Sequence, residues 1–191
     1  SDLLVLIDRA LGQIPAVLSD PHSGMKQAVE QLKEKGHTHI GYLSGPQETS
    51  TGRQRLHAFK TSTRGMPTHI HHGSYRHREG YKGAIALLQE GVTALIAGDS
   101  MMTAGALEAC HNAGKRIGEE IALVGFDDFI YLRFQPSPIS VVDQDVARMG
   151  ETATAKLITA INDKHQPEGE VLETRYIPRM STAHQLDGAT P

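Results

Sequence analysis

The stretch Ile121-Ala-Leu-Val-Gly-Phe-Asp-Asp128 does most to limit what this chain can fold into. A short apolar run bounded by turn signals fits a strand covered on both faces, the condition of a parallel sheet flanked by helices. In open parallel sheets, ligands sit beyond the carboxyl ends of the strands. Asp127 and Asp128 fall at such an end.

The rest of the chain repeats the pattern. Short apolar runs at Val5 to Ile7, Ala16 to Leu18, His39 to Ser44, Ala94 to Ala97 and 139–142 read as strands, and Val171 to Ile177 as the last one. Between them, Met25, Ala28, Val29 and Leu32 fall at helical spacing and predict a helix over 24–35 that stops at Gly36. Tyr81, Ala84, Ile85 and Leu88 do the same ahead of Gly91, and Val146, Met149, Ala153, Leu157 and Ile161 carry a helix over 146–162. Residues 54–60 and 100–113 also read as helical. The segment from Thr61 to Gly73, with Gly65, Pro67 and three histidines, reads as a loop, and the tail from Ser181 as loose. Such β–α alternation argues for an α/β fold with parallel sheets.

Length and charge narrow the function classes. A chain of 191 residues can bury a sizeable core. With a formal charge of −3 and no Lys/Arg-rich block, it lacks the basic stripe of a free-standing nucleic-acid-binding domain. No apolar run reaches the ~18 residues that span a bilayer. The start lacks the basic n-region of a secretory signal. The single Cys110 excludes an internal disulfide and a Cys-rich metal site. Cytoplasmic placement is the default reading, and a mature periplasmic protein the alternative.

After the acid pair come Pro136 and Pro138, the strand Ile139-Ser-Val-Val142, Gln144 and a helix opening at Val146. Earlier stand Leu6-Ile-Asp-Arg9, Val17-Leu-Ser-Asp20 with Gly24, Gly36-His-Thr-His-Ile40 with Gly45, Arg53-Gln-Arg55 before Leu56 and Phe59, and Ala97-Gly-Asp99 with Gly105. In this order the set resembles the lactose/galactose-repressor (LacI/GalR) family over roughly residues 4–182. The resemblance implies a core of periplasmic-binding-protein type, with two parallel-sheet subdomains joined by three crossovers and the first subdomain incomplete. The crossings are expected near Gly36, Asp143 and Asp163. That puts 1–36 and 144–163 in the N-terminal subdomain, 37–143 and 164–185 in the C-terminal one, and 186–191 in a loose tail. Relative to the family, a headpiece, a hinge helix and about half of the first subdomain precede residue 1, which implies an N-terminal truncation. The segment between Phe59 and Tyr75 is also shorter than the family's.

The resemblance also proposes site residues, each with a blander reading. Arg55 would make two-pronged hydrogen bonds to a ligand, as its planar fork permits. Its residue type alone suggests a surface ion pair. Asp127 would accept from ligand hydroxyls, or close an Asx turn or cap. Asp128 reads as structural. Asp99 would touch ligand or cap the following helix. Gly98, where the family usually has Asn, cannot supply an amide. Tyr75 would stack on a sugar ring. Gln144 would reach into the cleft or tie strands together, and Ser23 lies at the cleft edge. Met101 and Met102 would line a pocket or fill core. His69, His71 and His72 read as a solvated loop cluster, and no metal site or cofactor is expected.

No Gly-x-Ser-x-Gly elbow, phosphate loop or Gly-x-Gly-x-x-Gly follows a strand, so an enzyme is not expected. The expectation is the effector-binding and dimerisation core of a DNA-binding transcriptional regulator, taking a small molecule, a sugar or sugar derivative. It would be a homodimer that meets operator DNA only through a headpiece outside this chain, and no membrane. The helix 79–90, the helix after Asp99 and Tyr131-Leu-Arg-Phe134 are the expected interface. The alternative is a periplasmic-type sugar-binding protein for transport or chemoreception.

Overall fold

Two sheets carry the chain in the computed structural model, which describes residues 3–186. The smaller has the order β1-β2-β8, from Leu6–Ile7, Ala16–Asp20 and Glu170–Glu173, all parallel. The larger has the order β4-β3-β5-β6-β7-β9. Its strands are β3 Ile40–Ser44, β4 Thr68–His72, β5 Ala94–Ala97, β6 Ala122–Phe126, β7 Ser140–Asp143 and β9 Arg175–Ile177. Only β9 runs antiparallel, against β7. The helices are α1 His22–Glu34, α2 Ser50–Ser62, α3 His77–Gln89, α4 Ser100–Asn112, α5 Ile130–Arg133 and α6 Val146–Asp163. The expected α/β fold with parallel sheets is what forms.

Strands β3, β5, β6 and β7 are buried along their length because helices cover both faces of the larger sheet. Strand periodicity sends neighbouring residues to opposite faces. Tyr42 joins Ile96, Val124 and Phe126 under α1 and α2, where Met25, Val29, Leu32 and Phe59 meet it. Leu43 joins Leu95 and Leu123 under α3 and α4, packed by Leu87, Met102 and Ala109. Met102 is thus core, whereas Met101 is half exposed. A third cluster fastens α6 to the smaller sheet through Met149, Ala153, Val17 and Leu172.

Three expectations fail here. Helix α1 does not belong with residues 1–20. Its stripe Met25, Ala28, Val29 and Leu32 packs on the larger sheet beside α2, so the chain crosses at Pro21 and not near Gly36. Gly24 permits the close passage: a β-carbon there would lie 2.8 Å from Thr174 Oγ1 and from Val142 Cγ1. The segment Val171 to Ile177 is not one strand, and 164–185 does not lie wholly with the larger sheet. β8 pairs with β2 and β9 with β7, and the break falls at Thr174, whose N–H and hydroxyl both donate to the Asp20 carbonyl (3.1 and 2.9 Å). The histidine stretch is not a loop but the edge strand β4, parallel to β3.

The tail is tied down further than expected. Ser181 and Thr182 are buried in a 3₁₀ turn at Met180–Thr182. The Ser181 hydroxyl donates to the Leu123 carbonyl at 2.6 Å and accepts the Ser140 N–H at 2.8 Å. Leu186 N–H donates to the Lys35 carbonyl. The remainder of the tail, 187–191, lies outside the described residues.

Candidate functional site

Helix α2 is entered through Thr49, whose hydroxyl accepts the Gly52 N–H at 3.1 Å. From there Thr51, Gly52, Arg55, Leu56 and Phe59 form its buried stripe. This places Arg55 in the polar region at the strand ends with its side chain 7% exposed. Its guanidinium donates to the Gly98 carbonyl at 3.0 Å, to Gln144 Oε1 at 3.3 Å and to Asp8 Oδ1 at 3.4 Å. The same group lies 3.9 Å from the Phe126 ring centroid, a cation–π distance. Ser19 donates to Gln144 Oε1 at 2.7 Å. Asp8, just past β1, and Ser19 in β2 are thus tied through one arginine and one glutamine to α2 and to the loop after β5.

Asp8 and Asp127 follow the ends of β1 and β6, and both hold left-handed backbone, φ 71° and 64°. Asp tolerates that region better than most residues. The Asp127 N–H donates to the Val142 carbonyl at 2.9 Å, which fixes the turn. Its Oδ1 is buried without a hydrogen-bond partner among the described residues. Burial pushes its carboxyl up to about 6, against the opposing pull of Arg55 and Gln144, and Asp8 and Asp143 add to the rise. A buried acceptor in this state is costly unless a donor arrives. Asp127 also lines a cavity of about 240 Å³ with Asp128, Phe129, Asp143 and Arg175.

Of the residues expected from sequence, Arg55 and Gln144 meet directly, and Asp127 is close enough for both to act on its charge. Tyr75 stands beside α2, its hydroxyl 3.1 Å from Thr51 Oγ1. Asp99 caps α4 by accepting the Met102 N–H at 2.8 Å, and burial raises its carboxyl above the usual range. Ser23 is not brought into this group: it sits in the first turn of α1, where its hydroxyl accepts weakly from Gln27 at 3.5 Å. Asp128 is held by two arginines. Although burial opposes it, hydrogen bonds from Arg179 and Arg133, both 2.8 Å, hold its carboxyl below the usual range. Gly98, short of an amide, contributes its carbonyl. Two members escaped the sequence reading, Asp8 and Ser19. The signal for Asp8 was its place, directly after an apolar strand, like Asp127.

His69 pairs with Glu90 and stacks on His39 at 6.5 Å between centroids, so these are surface contacts of an edge strand. Among the described residues no group of three His, Cys, Asp or Glu side chains could hold a metal ion. Among them, too, no helix is long and apolar enough to cross a membrane.

Residues 29–182 match the periplasmic binding protein-like domain. The chain belongs to that family. Its relatives carry the LacI stamp that the motifs announce. The HTH-type transcriptional regulator MalR of Streptomyces coelicolor is 28% identical over 191 residues, covering 94% of this chain and 56% of its own length. A probable LacI family transcriptional regulator from Corynebacterium glutamicum superposes with TM-score 0.85 at 39% identity, over 93% of this chain and 67% of that one. The transcriptional regulator CelR in complex with cellobiose gives TM-score 0.82 at 29% identity, over 93% and 58%. These relatives are transcriptional regulators and not enzymes. The chain spans about half the length of the curated relatives it matches.

Proposed function

We propose that this chain is the effector-binding and dimerisation core of a cytoplasmic LacI/GalR-type regulator, and that the space around Arg55, Asp8, Gln144 and Asp127 receives a small neutral ligand, a sugar or close derivative. The observation that carries this reading is the meeting of Asp8, just past β1 of the smaller sheet, and Gln144, just past β7 of the larger one, on the buried guanidinium of Arg55, near enough to Asp127 for its charge to be felt there. Charge favours a neutral, hydroxyl-rich ligand. Arg55 is already met by Asp8, while the buried Oδ1 of Asp127 needs a donor. The cellobiose bound by CelR, one of the similar structures, is of that chemistry.

The three crossings at Pro21, Gln144 and Thr174 would serve as the hinge. A ligand touching both sheets shifts the hinge equilibrium only by its difference in affinity for the two angles. In a paired regulator that shift would reposition two DNA-binding headpieces on two half-sites.

A thermal-shift panel of cellobiose, ribose, glucose 6-phosphate and hypoxanthine tests the ligand class. A neutral sugar should raise the melting temperature in proportion to the logarithm of its concentration. Stabilisation by the phosphate or the purine alone would overturn the assignment to neutral sugars. The chain itself, acidic overall, should give no salt-resistant, sequence-selective gel shift with duplex DNA.

A further inference from the structure

We propose that Arg9 covers the stacking face of Tyr75, so that the effector must displace Arg9 before it can bind. This inference rests on the cleft reading above and adds a residue that governs access to it.

Tyr75 has little freedom of its own. Its hydroxyl is held by Thr51 at 3.1 Å. Its ring lies directly on the backbone of Gly45: a β-carbon at that position would fall 2.1 Å from Cε1 and 2.5 Å from Cζ. The ring is therefore pinned against the larger sheet's loop and cannot turn aside to offer another surface. Over it lies the guanidinium of Arg9, with Cζ 5.6 Å from the ring centroid. That is cation–π range, and a planar guanidinium covers the apolar area that a sugar ring would use.

Arg9 belongs to the other side of the cleft, in the loop that follows β1. Its neighbour Asp8 has left-handed backbone, φ 71°, and reaches Arg55, and Arg9 lies 3.8 Å from the same Asp8 carboxylate. The dipeptide Asp8-Arg9 thus puts a carboxylate on the ligand-facing arginine and a flat cation on the ligand-facing aromatic. These are the two kinds of contact an effector would make, supplied from within. Arg9 itself is mostly exposed, its side chain 56% accessible. It can leave the ring at little cost, which suits a displaceable cover and not a structural strut.

The signs of two substitutions separate this role from a direct ligand contact. Removing Arg9 uncovers Tyr75 and removes a competitor. Removing Tyr75 takes away the platform. Arg9→Ala should therefore bind the effector more tightly, by roughly two- to five-fold for an exposed cation–π contact, whereas Tyr75→Ala should bind it more weakly. A ligand-contacting Arg9 would instead give weaker binding on removal.

The test has a ligand-free arm and a ligand arm. Tetranitromethane nitration of Tyr75, followed by peptide mapping, is compared in the wild-type chain and Arg9→Ala, with Tyr131 as internal reference. At least a roughly two- to five-fold faster modification of Tyr75 is expected once the cover is gone. An unchanged rate overturns the proposal. Calorimetry with cellobiose, ribose, glucose 6-phosphate and hypoxanthine on wild type, Arg9→Ala and Arg55→Ala then reads the competition. Tighter binding by Arg9→Ala with loss in Arg55→Ala supports it, and weaker or equal binding by Arg9→Ala overturns it. Faster nitration in Arg9→Ala with no probe binding any of the three proteins would instead overturn the cleft reading and leave the cover over Tyr75 standing.

Discussion

Asp127→Asn should make the ligand-free protein more stable at pH 7.5. In the fold, burial raises this carboxyl from 3.8 to about 6. At about 1.36 kcal/mol per tenfold change, holding it ionised costs roughly 3 kcal/mol of stability. The sign follows from linkage: below pH 3.8 both folded and unfolded forms are protonated and there is no cost. The cost grows as pH rises and is complete above about 6. Asn has nearly the same shape, carries no charge and can donate, so it should recover about 2–3 kcal/mol at pH 7.5, and little at pH 4. His37 works in the opposite direction. Burial first, with the charge of His184 second, lowers its pKa to about 4. The stability it confers is present above pH 6.5 and is lost as pH falls towards 4. The two effects offset one another in the wild type, and Asp127→Asn should unmask the acid sensitivity of His37. Urea unfolding followed by far-ultraviolet circular dichroism suits a chain without Trp. Equal stability of the two proteins at pH 7.5, or a gap that does not narrow towards pH 4, would refute the reasoning.

Three other changes probe the frame of the site and the expected pairing segment. Gly24→Ala puts a β-carbon 2.8 Å from Thr174 Oγ1 and Val142 Cγ1, where two crossings meet, and should cost about 1–3 kcal/mol in the same unfolding assay. In the segment expected to pair two copies, Leu132 is fully buried but Phe134 is 78% exposed. Leu132→Ala should cost about 2–5 kcal/mol of fold stability. Phe134→Ala should change fold stability by less than about 0.5 kcal/mol yet weaken self-association measured by sedimentation.

Much of this architecture is legible in the sequence, and the failures have physical causes. Helical periodicity in α1 shows that one face is buried, but Met25, Ala28, Val29 and Leu32 would look the same on either sheet. Which sheet covers them is decided by Gly24 and Thr174, contacts 150 residues apart. The run from Val171 to Ile177 has strand character throughout, and only the pairing of Thr174 with Asp20 reveals that it changes sheets. Strand β4 escaped because an edge strand, with its polar His69 and His71 half buried and His72 exposed, needs no continuous apolar run. At the site, Arg55, Asp127 and Gln144 stood out because a family pattern surrounds them. Asp8 did not, since its role depends on left-handed backbone and a partner 47 residues away. Ser23 shows the converse: nearness to a motif is not nearness to the guanidinium.

The central claim is that Arg55 is the residue on which effector binding turns. Isothermal calorimetry of wild type and Arg55→Ala against whichever neutral sugar stabilises the wild type tests it most directly. Removing one partner of a buried, hydrogen-bonded charge should weaken binding by about 2–4 kcal/mol, roughly 30- to 1,000-fold, while the far-ultraviolet spectrum stays that of the folded chain. Wild-type affinity in a folded Arg55→Ala would contradict the account.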